Sequence, residues 1–296
     1  MLAPKRWIAV SSALCAILLG NLPAQAITVN DDAGHHVTLA APAQRIVSLA
    51  PHATELLFAA GAGAAVIGVS QYSDYPPAAR HVSLIGAASA LDLEKIITLK
   101  PDLVVAWKSG SSAAQIATLR QLNIPVFESE PHNFETIASS LERLARLTGT
   151  ENIGNAAAAS FRIRIAALRA TYQHRRVLRV FYQVWHKPLM TVNGAHLVSA
   201  TLRLCGGQNI FAQLPQLSPS VSREAVLARN PEIIIGSGVD DELADWQRFP
   251  QLAAVAQHNL IHLNPDLLVR PGPRIVDGAQ QLCERLDQAR VAQSAK

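Results

Sequence analysis

Polar and aromatic residues recur just after short β-branched runs. They are Pro51-His52, Tyr72-Ser73-Asp74-Tyr75-Pro76-Pro77, Trp107-Lys108-Ser109, Glu130-Pro131, Val184-Trp185-His186 and the segment Asp266 to Arg270. In open parallel sheets, ligands bind at the carboxyl ends of the strands. Aromatic walls carrying a few polar groups suit a large, flat, partly apolar ligand. Core packing is the competing use for Tyr72, Trp107 and Trp185. A neutral His52 imidazole offers a contact to a metal carried inside such a ligand; a histidine so placed also serves to cap a helix or bond the backbone. His52 or His186 with Asp74 would be the raw material of an exported hydrolase. Against that, the chain has no G-x-S-x-G, no H-E-x-x-H, no P-loop and no G-x-G-x-x-G. No catalytic residue, resident metal or catalytic cofactor is therefore expected.

A second chemistry lies in a near-repeat. Leu91-Asp-Leu-Glu94-Lys-Ile-Ile-Thr-Leu-Lys-Pro101-Asp-Leu-Val-Val105 is one copy, and Val221-Ser-Arg-Glu224-Ala-Val-Leu-Ala-Arg-Asn-Pro231-Glu-Ile-Ile-Ile235 is the other. Each has a polar N-cap candidate (Asp92, Ser222), a glutamate two residues on, a short helix, a proline past its end and a β-branched strand. Macrodipole stabilisation explains either glutamate alone. It does not explain the same placement twice. Two equivalent carboxylates on two lobes make a two-point docking surface for arginines on a partner. A structural partner using only this acidic pair, without a ligand, is the reading from a third class.

The elements that must position these groups alternate strand and helix. Ile27 to Leu39 reads as a hairpin around a polar turn, Arg45 to Leu49 as a buried strand, Pro51 to Ala62 as a helix, and Val66 to Val69 as the next strand. Gly61-Ala62-Gly63 falls at that helix's C-terminal cap, not on a phosphate. This is the pattern of βαβ units and parallel sheets. Glu151 to Arg176 is Ala-rich, with Phe161, Ile165 and Leu168 at helical spacing and no Gly or Pro after Gly154. It predicts one helix of more than about 20 residues, about 30 Å long, serving as a stiff connector; a helix packed inside a single domain is the other reading. The expected fold is α/β, with two Rossmann-like lobes joined by a single long rigid helix and a ligand cleft between them. Residues 1–26 form a leader, 27–150 the N-terminal lobe, 151–176 the linking helix and 177–296 the C-terminal lobe.

Composition bounds the classes. The chain has 296 residues, with 26 Lys+Arg against 22 Asp+Glu. Lys5 and Arg6 precede an apolar run from Trp7 to Gly20, and small residues follow to Ala26. That is a secretory leader cleaved after Ala26, shorter than a membrane anchor. Without it 24 positive side chains face 22 negative ones, too near balance for a nucleic-acid binder. Cys15 lies inside the apolar run, which excludes a lipoprotein signal. Cys205 and Cys283 remain. In an exported chain they form one disulfide or stay as two buried thiols.

Taken together, RIVSLAPHATELLFAAGAG, VIGVSQYSDYPP, LDLEKIITLKPDLVVAW, VSREAVLARNPEIII and CGGQNIF resemble the periplasmic substrate-binding proteins of ABC importers for cobalamin, haem and ferric siderophores. The likeness covers residues 27–292 and is greatest to the cobalamin branch. It implies two α/β lobes on one rigid helix, a monomer, a corrinoid in the cleft and small hinge motion. It implies ligand contacts at Tyr72, Trp107, Asp266 and Arg270, a disulfide between Cys205 and Cys283, and docking of Glu94 and Glu224 onto arginines of an inner-membrane permease dimer. The sequence departs from that branch at four places. Gly86 to Ala90 and Leu217 to Ser220 replace stretches that carry tryptophans, Leu267 replaces an aromatic, and His52 replaces a small polar residue. These leave room for a related corrinoid such as cobinamide. Haem, through a Tyr or His axial ligand, and a ferric siderophore, through Arg270, are the alternative ligands.

Overall fold

The computed structural model describes residues 26–87, 90–236 and 242–294. The predicted leader, apart from Ala26, lies outside the described residues. A five-stranded sheet runs in the order Ser83–Leu84, Val66–Val69, Ile46–Ser48, Leu103–Trp107, Val126–Ser129, every pair parallel. A four-stranded sheet runs Gly207–Asn209, Leu178–Gln183, Ile233–Gly236, Leu260–His262, again all parallel. Ile46–Ser48 and Ile233–Gly236 are buried throughout. Both faces of such strands are covered by helices, which is why they are apolar runs and not alternating ones.

The hairpin Ile27–Asn30/His36–Leu39 closes the edge of the first sheet. Its turn presents Asp31 Oδ2 to the Glu128 N–H at 3.1 Å and Asp32 Oδ2 to the Glu130 N–H at 2.6 Å. These carboxylates, with the Asp32 N–H donating to the Glu128 carbonyl at 2.9 Å, occupy backbone groups that would otherwise template another strand.

The two copies of the near-repeat fold alike. Helices Leu93–Thr98 and Arg223–Arg229 start at Asp92 and Ser222, whose side chains accept from the Lys95 and Ala225 N–H groups at 2.9 and 3.1 Å. Each stops at a left-handed residue, Lys100 (φ 48°) and Asn230 (φ 41°), just before its proline. The acidic residue after each proline has a role the sequence did not reveal. Asp102 accepts from the Gln44 and Arg45 N–H groups at 2.8 and 3.0 Å, and Glu232 from the Arg179 N–H at 2.9 Å. In both lobes it satisfies backbone donors at the start of the adjacent strand.

The linking helix, Glu151–Tyr172, has 22 residues, about 33 Å. It ends four residues before the predicted Arg176; beyond it Arg175 and Arg176 pair with Asp287 (3.7 Å) and Glu232 (2.8 Å). Arg162 binds Glu135 and Glu142 on the helix Phe134–Thr148. Gly154 allows the two helices to approach: a Cβ there would lie 2.3 Å from the Ala145 Cβ. On the other side, Ile165 shares one apolar cluster with Leu197 and Leu204, and with Ile275 and Ala279 of the last helix, Ile275–Ser294. The N-terminal core thus continues along the linking helix into the C-terminal half. Cys205 and Cys283, both fully buried, are bonded at 2.02 Å. This pins the end of helix Leu197–Leu204 to the last helix. Among the described residues no helix is long and apolar enough to cross a membrane.

Candidate functional site

Each predicted contact residue stands at or beyond the carboxyl end of a parallel strand. Trp107 is the last residue of its strand and is half-buried. Tyr72 follows Val66–Val69 by three residues, in a left-handed conformation (φ 66°), with 71% of its surface exposed. Trp185 follows Leu178–Gln183, is 52% exposed, and donates its indole N–H to the Lys187 carbonyl at 2.9 Å. Asp266 and Arg270 follow Leu260–His262, where Asn264 Oδ1 accepts from the Asp266 N–H at 2.9 Å.

The two sets meet across the lobes. Arg270 Nη1 lies 2.8 Å from Asp74 Oδ1 and 3.3 Å from Glu55 Oε1, both on the N-terminal lobe, and its Nη2 lies 3.0 Å from Asp266. The carboxyl ends of the two sheets therefore face one another, with Arg270 between them. Burial pushes the Asp74 carboxyl up, but the hydrogen bond and charge of Arg270 outweigh it and hold the group below its ordinary value. Neither Glu55 nor Arg274 stands out in the sequence. Arg274 donates to Glu55 through Nε (2.9 Å) and Nη2 (2.5 Å), and covers the Tyr75 ring at 4.0 Å. Glu55 reads as an ordinary helix residue; the partners that bury it are 215 and 219 residues away.

Of the two uses open to His52, its surroundings match the backbone-bonding one. It is 3% exposed in the first turn of helix Pro51–Ala59, with its ring edge-on to Trp107 at 5.7 Å and 79°. Burial lowers its pKa to about 4, against a smaller opposing bond to the Ser129 backbone. Its Nε2 is buried without a hydrogen-bond partner. Trp107 is held from the other edge, where Glu130 accepts its indole N–H at 3.3 Å and the Ser109 N–H at 2.8 Å. Glu130 thus fixes the orientation of the indole. The pairing weighed for a hydrolase is not assembled: Asp74 binds Arg270, and His186 Nδ1 lies 3.7 Å from Glu242.

Glu94 and Glu224 are both exposed in the first turns of their helices. The Glu224 carboxyl is held below its ordinary value by its own backbone N–H first and by Ser222 second.

Two parallel-sheet lobes on one connecting helix, with aromatic and charged residues at facing strand ends, define a two-lobed ligand-binding protein. The chain belongs to the periplasmic binding protein family, whose model matches residues 46–267. It is 40% identical to the vitamin B12-binding protein of Vibrio cholerae over 251 residues, covering 83% of this chain and 90% of that one. It is 37% identical to the vitamin B12-binding protein of Yersinia pestis over 278 residues, covering 93% and 92%. The crystal structure of the periplasmic vitamin B12-binding protein BtuF of V. cholerae superposes with a TM-score of 0.78, covering 84% of this chain and 98% of that chain. The periplasmic haem-binding protein RhuT from Roseiflexus shares the fold, at TM-score 0.74 and 24% identity. These relatives are named as binding proteins, not as enzymes.

Proposed function

We propose that the protein captures cobalamin, or a closely related corrinoid, in the periplasm and delivers it to an ABC permease. The observation that carries this reading is the junction at Arg270. A guanidinium of the C-terminal lobe reaches Asp74 and Glu55 of the opposite lobe, at the strand ends that also carry Tyr72, Trp107 and Trp185. The 40% identity to a protein named for vitamin B12 binding supports the same ligand. Tyr72, Trp107 and Trp185 supply apolar faces, and Asp266 and Arg270 supply polar contacts. His52 backs Trp107 with a buried imidazole whose Nε2 has no partner. Glu94 and Glu224 dock on arginines of the permease dimer. The leader is cleaved after Ala26, and the mature chain acts as a monomer.

Titration calorimetry with cyanocobalamin, hemin and a ferric siderophore tests the ligand. The expected result is one cyanocobalamin bound per chain, with a dissociation constant about micromolar or tighter. Saturable hemin binding with a Soret shift lost in His52→Ala, and no heat from cyanocobalamin, would assign the cleft to haem. No heat from any of the three would leave the acidic pair as the only functional surface.

A further inference from the structure

The arginine at the junction is embedded in carboxylates. Arg270 is in contact with Glu55, Asp74 and Asp266 at 3.3, 2.8 and 3.0 Å. Arg274 binds the same Glu55 through two nitrogens, and the Glu55 side chain is only 2% exposed. One buried carboxylate of the N-terminal lobe therefore separates two guanidiniums of the C-terminal lobe that would otherwise repel. Three carboxylates surround two guanidiniums. Arg80 adds a third cation from the exposed side, its Nε donating to the Asp74 carbonyl at 3.1 Å. Among the described residues the patch carries no net positive charge.

Sites that recruit carboxylates do so with guanidinium N–H groups left open for bidentate bonds. Here Arg270 and Arg274 are already engaged by protein carboxylates. A carboxylate brought in by a ligand would meet Asp74, Asp266 and Glu55 as like charges in a half-buried wall. A neutral amide can accept or donate in the same place without that repulsion.

We propose that Glu55 is a specificity-determining residue. By neutralising Arg270 and Arg274 in place, it makes this part of the cleft select neutral, amide-bearing ligands and reject ligands that present carboxylates there. The identity of the amide-bearing ligand rests on the corrinoid reading above, whereas the charge argument rests on the contacts alone.

The test compares shape-matched probes that differ in one charge: cyanocobalamin and its b-, d- and e-monocarboxylic acids, with hemin as a dicarboxylate. The wild-type chain is expected to bind at least one of the acids about tenfold more weakly than the amide. Glu55→Gln shrinks that ratio by about fivefold or more and tightens hemin by a similar factor. Glu55→Asp keeps the wild-type ratio. A purely structural role for Glu55 would weaken every probe alike and leave the ratio unchanged, which overturns the proposal. Wild-type binding of all three acids as tightly as the amide overturns it too. Asp74→Asn, on the more exposed side of the network, carries the same expectation and the same refutation if Glu55→Gln does not fold. Failure of cyanocobalamin to bind the wild type contradicts the corrinoid reading alone. The hemin arm then decides: a gain in Glu55→Gln upholds the charge argument, and no gain ends it.

Discussion

The His52 ring stands edge-on to Trp107, 5.7 Å away, so a strand-end tryptophan is backed by a buried imidazole. A second histidine, His196, is also largely buried, and its Nδ1 accepts from the Val198 N–H at 3.1 Å as the N-cap of helix Leu197–Leu204. Burial lowers both to about 4, from an ordinary value of 6.5. The folded chain therefore binds fewer protons than the unfolded chain between these values, and stability falls as the pH falls.

Thermal melts from pH 8 to pH 4 should be flat above about 6.5 and drop steadily toward about 4, with each histidine costing on the order of 3 kcal/mol at most. His196→Asn keeps a capping acceptor without a titrating ring. It should flatten the profile by about half. An unchanged slope in that variant would contradict the assignment.

Gly110 lies against the indole. A Cβ at that position would sit 1.9 Å from Trp107 Cε3. Gly110→Ala must displace the ring, at a cost of about 1–3 kcal/mol shared between folding and binding. Near-ultraviolet circular dichroism should report the shifted tryptophan, and cyanocobalamin affinity should fall about tenfold. Full affinity with an unaltered spectrum would show that the wall tolerates the methyl group.

Gly154 is a packing site of the linking helix. A methyl group placed on it would stand 2.3 Å from the Ala145 Cβ and 2.9 Å from the Leu141 carbonyl oxygen. Gly154→Ala gains helix propensity, worth about 1 kcal/mol. It loses more through overpacking, so urea denaturation should show net destabilisation of about 1–2 kcal/mol. A net gain would mean that the two helices separate at little cost.

The disulfide spans a sequence separation of 78. In the chain-entropy treatment such a loop contributes about 4.5 kcal/mol at most. Replacing both cysteines by alanine should lower the melting temperature by several degrees without changing ligand stoichiometry. Identical melting of the two forms would show that Cys205 and Cys283 are not bonded in the native chain.

If Glu94 and Glu224 dock on the permease as proposed, charge reversal at both, Glu94→Arg with Glu224→Arg, should abolish delivery while leaving cyanocobalamin affinity as it was. Both side chains are exposed at first helical turns, so the fold should tolerate the change. Uptake by cells carrying only the double variant is the readout. Normal uptake would refute docking through this pair.

Local chemistry made much of this fold legible. The N-caps Asp92 and Ser222, the helix stop at Gly61 (φ 90°) and the β-branched strands all act within a few residues of themselves. The strand-end positions of Tyr72, Trp107, Asp266 and Arg270 were legible in the same way. Long-range pairing was not legible. Glu55 carries the polar character of any helix surface, and only the approach of a segment more than 200 residues away makes it a buried anion between two arginines. For His52 the sequence left two uses open, and only the packing of Trp107 against it shows that the ring is buried. No Gly or Pro marks the end of the linking helix, so its pattern runs on four residues past the true stop. Past that stop Arg175 and Arg176 pair with Asp287 and Glu232, partners distant in sequence.

Native mass spectrometry of the protein purified from its own periplasm bears most directly on what the cleft holds. The account predicts a monomer beginning at Ile27, carrying one added mass equal to cobalamin or a cobalamin precursor, and losing it in Arg270→Ala. A bound haem or ferric siderophore, or a chain that stays empty after incubation with excess cyanocobalamin, would contradict it.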